Sequence, residues 1–146
     1  IIDYAHTPDA LENVLKTLRE IAPDRELICL FGCGGDRDRT KRPEMGLIAQ
    51  KMADRIIVTS DNSRTEKTSD IMAEIKGGMD ISGRAKSLFI EDRREAIRTA
   101  VMLAGPGATI LLAGKGHETY QITGTEKVHF DEKEIVAEIF NDITGL

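Results

Sequence analysis

The chain has 146 residues and a formal net charge of −5 at pH 7, long enough for one domain with a real core. Its composition, 40% hydrophobic and 31% charged, is ordinary for a globular protein. The acidic balance argues against general nucleic-acid binding, no apolar run nears the ~20 residues of a membrane helix, and no signal peptide opens the chain.

The chain begins Ile1-Ile2-Asp3 without an initiator Met, as if cut from a longer protein. Ile1 to Tyr4 reads as the end of a strand. Thr7-Pro8 then supplies an N-cap and a proline for the first turn of a helix. Leu11, Val14, Leu15, Leu18 and Ile21 recur at helical spacing, so residues 8–22 are expected to form an amphipathic helix. Leu27 to Phe31 is nearly all apolar, as in a strand covered on both faces. Gly32-Cys33-Gly34-Gly35-Asp36-Arg37-Asp38 follows, then a helix expected from Pro43, with Met45, Ile48, Ala49 and Met52 inward.

Ile56 to Thr59 reads as a second buried strand, and Ser60 to Thr65 as a polar loop rich in turn formers. Thr68 or Ser69 is expected to cap a helix carrying Ile71, Met72 and Ile75, stopped at Gly77-Gly78. Ser87 to Ile90 is a short strand, and Asp92 caps a helix with Ile97, Ala100, Val101 and Ala104. Thr109 to Ala113 is another apolar strand, running into Gly114-Lys115-Gly116-His117-Glu118. Tyr120 to Thr123 and Val128 to Phe130 resemble a hairpin around Gly124. Asp131 and Glu134 form a capping-box pattern before a last helix with Ile135, Val136, Ile139 and Phe140 inward.

Alternating strands and helices imply an α/β, Rossmann-like, three-layer domain spanning 1–146. About six strands are expected, mostly parallel, with helices on both faces and the hairpin adding an antiparallel edge strand. In such a sheet the carboxyl ends of the strands form the ligand edge. Four polar loops should meet there: Asp3–His6, Gly32–Arg42, Ser60–Thr65 and Gly114–Glu118. The second loop carries Arg37, Arg39, Lys41 and Arg42, donors for carboxylate or phosphate, although a solvated connection has the same composition. That glycine loop departs from the dinucleotide fingerprint, because Arg37 stands at the sixth position where glycine is needed. A nicotinamide-binding domain is therefore disfavoured. Cys29 and Cys33 make neither a disulfide framework nor a metal site, so a reduced, cytoplasmic setting is the default.

Taken together and in order, Asp3-Tyr4-Ala5-His6-Thr7-Pro8-Asp9, Gly32 to Asp38 with Lys41-Arg42-Pro43, Asp61-Asn62-Ser63-Arg64 and Gly114 to Glu118 resemble the C-terminal domain of the Mur ligases. The last three point to the members that add diaminopimelate. The resemblance implies a three-domain, cytoplasmic enzyme of peptidoglycan synthesis, and hence of cell shape and division, whose N-terminal and central ATPase domains are not in this chain. It implies ATP and Mg²⁺, bound mainly by the central domain. The partners implied are meso-diaminopimelate and the UDP-N-acetylmuramoyl dipeptide, joined through an acyl phosphate.

By the same resemblance Arg37, Asn62, Arg64, Gly114 and Glu118 bind diaminopimelate with Asp61 in support, and Asp3 and His6 meet the nucleotide. Arg64 would grip the distal carboxylate and Glu118 the distal ammonium. The family's usual Asp-Asn-Pro-Arg reads Asp61-Asn62-Ser63-Arg64, which loses the fixed φ of proline but keeps both binding residues. Lys115 is placed either to meet a phosphate or to face water, and His117 to orient Glu118. A lysine-adding ligase of the same family and a non-catalytic ligand-binding module are the alternatives.

Overall fold

In chain order the elements are β1 (Ile2–Asp3), α1 (Pro8–Ile21), β2 (Leu27–Phe31), α2 (Lys41–Met52), β3 (Arg55–Val58), α3 (Thr68–Lys76) and α4 (Ile81–Ala85). They continue with β4 (Ser87–Phe89), α5 (Arg93–Leu103), β5 (Thr109–Ala113), β6 (Tyr120–Thr123), β7 (Glu126–His129) and α6 (Glu132–Thr144). They come from a computed structural model that describes residues 1–145. Five strands form one sheet in the order β1-β5-β2-β3-β4, and every pair in it is parallel.

The apolar run of β2 is buried throughout because side chains of successive strand residues point to opposite faces. Leu27, Cys29 and Phe31 pack with Leu11 of α1, Met45 of α2 and Ile71 of α3. Ile28 and Leu30 pack with Ile97 of α5 and Ile135 and Ile139 of α6. The result is the expected three-layer α/β arrangement, with two apolar clusters separated by the sheet.

The hairpin does not extend that sheet. β6 and β7 pair only with each other, and an isolated bridge from Thr123 to Arg64 ties them to the loop after β3. The large sheet therefore has five strands, and the antiparallel pair sits over its carboxyl edge.

Two expected core residues lie outside the core. Ile21 is 75% exposed and Phe140 49%. At 100° per residue Ile21 falls roughly 80° round the helix from Leu11, and Phe140 roughly 140° from Ile135, so each sits off its buried stripe.

The helix starts also differ from expectation. α2 begins at Lys41, two residues before Pro43, and Thr40 makes no side-chain cap. α3 follows Lys67 without a side-chain cap. Asp131 does cap α6, through the Lys133 N–H, but Glu134 pairs with His129 at 2.8 Å instead of closing a capping box. The short α4, capped by Asp80 accepting from the Gly83 N–H, has no periodic signal. No helix among the described residues is long and apolar enough to cross a membrane.

Candidate functional site

Chain connections leave β1, β2 and β3 toward the face covered by α1, α2 and α3. Those leaving β4 and β5 turn to the face of α5 and α6. Because β5 lies between β1 and β2, neighbouring strands there send their connections to opposite faces, and a crevice opens at their carboxyl ends. It is a cleft of about 520 Å³ with His6, Arg37, Asn62, Arg64, Gly114 and Glu118 in its walls and Asp61 beneath. All four polar loops reach this edge.

The glycine loop after β2 lies against the loop after β3. The Gly35 N–H donates to the Asn62 carbonyl at 2.8 Å, and a Cβ on Gly35 would collide with the Ser63 carbonyl oxygen. Glycine is required for this approach. Asp36, at φ 55°, accepts from the Thr65 hydroxyl at 2.6 Å, and its own N–H donates to Glu66 at 2.7 Å.

Arg42 locks the arrangement from below. It is fully buried and donates to Glu66 at 2.7 Å, to Glu74 at 3.1 Å and to the Gly34 carbonyl at 3.0 Å. Arg39 is paired with Glu74 as well. Of the four cations in this loop, only Arg37 and Lys41 line the cleft. The Lys41 ammonium donates to the His6 carbonyl at 3.0 Å, and Arg37 donates to its neighbouring Asp36 carbonyl at 2.9 Å.

The hydrogen bond from Arg42, then that from the Asp36 N–H, holds the Glu66 carboxyl down at about 2, below its usual ~4.3. A carboxylate with a depressed folded pKa stabilises the fold above its unfolded pKa and loses that contribution as pH falls toward the folded one. Between about pH 4.5 and 2 the thermal midpoint of the wild type is therefore expected to fall more steeply than that of Glu66→Gln. Parallel slopes over that window, read by circular dichroism, would show that the Arg42–Glu66 clamp does not bear on stability.

Arg64 has φ 52°, a left-handed conformation that costs energy in a non-glycine residue. Its backbone pairs with the hairpin on both sides, the N–H to the Ile122 carbonyl and the carbonyl to the Gly124 N–H. One guanidinium nitrogen, Nη1, donates to the Gly35 carbonyl at 3.0 Å and to that of Asn62 at 3.3 Å. Its other two nitrogens have no partner among the described residues, and its side chain lines the cleft.

Lys115 is neither at a phosphate position nor in water. It is fully buried, with its ammonium 3.0 Å from Asp61 Oδ1, 3.2 Å from Asn62 Oδ1, 3.0 Å from the Tyr120 carbonyl and 3.8 Å from Glu118 Oε1. Burial pushes the Asp61 carboxyl up, but the Arg93 and Lys115 cations outweigh it and hold the group below its ordinary value. Gly114 has φ +114° and packs against the Asp61 carboxylate.

The two residues assigned to the nucleotide separate. His6 lines the cleft, its ring edge-on to Tyr4 at 4.8 Å. The Tyr4 carbonyl 3.0 Å from Nδ1 can only accept, so Nδ1 carries the hydrogen. Asp3 instead faces a smaller recess with Gly116, His117 and Lys133, and its carboxylate accepts from the Ala5 N–H at 2.8 Å. His117 makes no hydrogen bond to Glu118. Tyr120 and Lys41 line the cleft without a role assigned from the sequence; Tyr120 stands 3.5 Å from Glu118. Cys33 is buried against Met45, and burial pushes its thiol up to about 12, so it offers no nucleophile.

A second crevice of about 580 Å³ lies between the loop after β4, the hairpin and α6. Two ion pairs lie among its lining residues, Arg94 with Glu138 and His129 with Glu134. The first cleft sets the guanidinium groups of Arg37 and Arg64 in its walls together with the Glu118 carboxylate.

Residues 1–116 match the family model described as "Mur ligase, glutamate ligase domain". The chain belongs to the Mur ligase family. A UDP-N-acetylmuramoyl-L-alanyl-D-glutamate–2,6-diaminopimelate ligase of Trichormus variabilis is 59% identical over 134 residues, covering 92% of this chain and 26% of the relative. The enzyme of the same description from Syntrophomonas wolfei is 54% identical over 139 residues, 95% of this chain and 28% of its own length. A solved structure of such a ligase superposes with a TM-score of 0.91 at 45% identity, over 98% of this chain and 29% of that one. The Mur ligase chain thus spans about a quarter of these relatives. A folylpolyglutamate synthase of Mycobacterium tuberculosis, at 19% identity and TM-score 0.59 over 77% of this chain and 27% of that one, shares the fold.

Proposed function

We propose that this chain is the C-terminal domain of a cytoplasmic, ATP-dependent Mur ligase of peptidoglycan synthesis. The ligase adds meso-diaminopimelate to UDP-N-acetylmuramoyl-L-alanyl-D-glutamate, and this domain receives the incoming amino acid. The observation that carries the reading is the cleft itself. Two guanidinium groups and an amide donor stand in it near the Glu118 carboxylate, which suits a ligand with carboxylates and ammonium groups at both ends. Relatives named for this reaction cover nearly the whole chain.

ATP and Mg²⁺ are held mainly by the rest of the enzyme, with Asp3 and His6 meeting the nucleotide. The chain has no Gly-x-x-x-x-Gly-Lys-[Ser/Thr] loop, and among the described residues no three His, Cys, Asp or Glu side chains converge on a common point. The domain's own share is positioning. Arg64 takes the distal carboxylate in a bidentate grip, Glu118 accepts from the distal ammonium, and Arg37 meets the other carboxylate. The reacting amine is then held toward the activated carboxyl of the dipeptide.

The test is phosphate release by the full-length ligase carrying this chain, with diaminopimelate and lysine in parallel. Turnover is expected with diaminopimelate, at a kcat/KM up to ~10⁴-fold above that for lysine, because lysine leaves Arg64 without its anion. Equal use of lysine would transfer the chain to the lysine-adding branch. No turnover with either would favour a ligand-binding module. Residues 1–146 alone are expected to release no phosphate; diaminopimelate-dependent turnover by the isolated domain would contradict the division of labour proposed here.

A further inference from the structure

We propose that Lys115 is a positioning residue for the amino-acid substrate: its buried ammonium locks the Asn62 amide with Nδ2 toward the cleft and organises Asp61 and Glu118 around it. This rests on reading the cleft as the amino-acid site.

Asn62 Oδ1 receives two hydrogen bonds, from the Lys115 ammonium at 3.2 Å and from the Ile122 N–H at 2.9 Å. Both partners can only donate. A flipped amide would set its NH₂ against an ammonium and an N–H, leaving two buried donors unmet. The orientation is therefore fixed, and Nδ2 is the group left to donate into the cleft.

Lys115 has three hydrogens, and three acceptors stand within 3.2 Å of it: Asp61 Oδ1, the Tyr120 carbonyl and Asn62 Oδ1. Glu118, at 3.8 Å, takes charge from the ammonium without using one of its hydrogens. Its lone pairs stay open to a ligand ammonium. The Glu118 carboxylate, beyond hydrogen-bond reach of the Lys115 ammonium, keeps negative charge to offer a ligand ammonium. The Lys115 side chain joins the loop after β3 to its own segment up to Tyr120, and Phe130 closes it off, its ring centroid 5.7 Å from the ammonium.

A merely structural lysine and a positioning one differ in what their removal changes. In the full-length ligase, Lys115→Met is expected to raise the KM for diaminopimelate by about ten- to a hundredfold while the KM for ATP moves less than about twofold. The preference over lysine is expected to shrink with it. A folded Lys115→Met enzyme with wild-type KM and preference overturns the proposal.

If Lys115→Met does not fold, Asn62→Asp decides. It keeps the inward oxygen and both of its internal hydrogen bonds and turns the outward donor into a negatively charged acceptor. Its KM for diaminopimelate is expected to rise about tenfold or more, and an unchanged KM overturns the proposal. A wild-type ligase that fails to use diaminopimelate refutes the function reading and this inference together; the Lys115 and Asn62 results alone leave that reading standing.

Discussion

In the full-length ligase, Arg64→Ala is expected to raise the KM for meso-diaminopimelate by about a hundredfold or more, with the KM for ATP nearly unchanged. Diaminopimelate differs from lysine by a carboxylate beside its distal amine, and a planar guanidinium can hold both oxygens of that group. Nη1 of Arg64 is already committed to the Gly35 and Asn62 carbonyls, which fixes the direction of the remaining donors before any ligand arrives. Little ordering entropy is then left to lose on binding.

The backbone at φ 52° complicates this variant, since alanine inherits the strain without the contacts. Arg64→Gly separates the two effects. Glycine relieves the left-handed strain, so the glycine enzyme is expected to match or exceed the stability of the alanine one while losing the same affinity. Wild-type KM in both variants would remove Arg64 from the pocket. A loss in Arg64→Ala that Arg64→Gly repairs would assign the residue a purely conformational role.

Much of this site is legible in the amino-acid sequence, for a physical reason. Parallel strands carry their following loops to one edge, so Asp61-Asn62-Ser63-Arg64 and Gly114 to Glu118 reach the same edge although β2 lies between β3 and β5. The strand pattern is strong because β2, β3 and β5 are buried on both faces and read as apolar runs. What stays hidden is the direction each charged side chain takes. Arg42, Arg93 and Lys115 look like surface cations in sequence, yet all three are buried. Their partners Glu66, Glu132 and Asp61 are distant along the chain, and no local rule links them.

Asp3 is placed by a local contact, its Oδ1 accepting from the Ala5 N–H. The hairpin alternates like an edge strand, but its place is set by Arg64 and Asn62, which bond to Ile122 and Gly124. That dependence is invisible from the hairpin itself.

The largest stability effect is expected at Arg93. It is fully buried against Glu132, with Nε 2.9 Å from Oε2, while Glu132 Oε1 has no partner among the described residues. Arg93→Met strands that carboxylate in an apolar layer, and removing one member of a buried pair typically costs about 3–5 kcal/mol. For a domain of this size the thermal midpoint is expected to drop by about 10 °C.

Removing both charges, in Arg93→Met with Glu132→Met, is expected to recover most of the stability, because the desolvation cost disappears along with the attraction. Additive losses in the double variant, measured by urea denaturation, would show that the pair is not coupled. Function should not recover in parallel. Arg93 also donates to the Ser60 carbonyl at 3.0 Å and the Ala113 carbonyl at 2.9 Å, the residues immediately before Asp61 and Gly114. It is one of the two cations that keep Asp61 ionised. A double variant as stable as wild type is thus expected to keep a raised KM for the amino acid, since the strand ends that present the cleft have lost their common anchor.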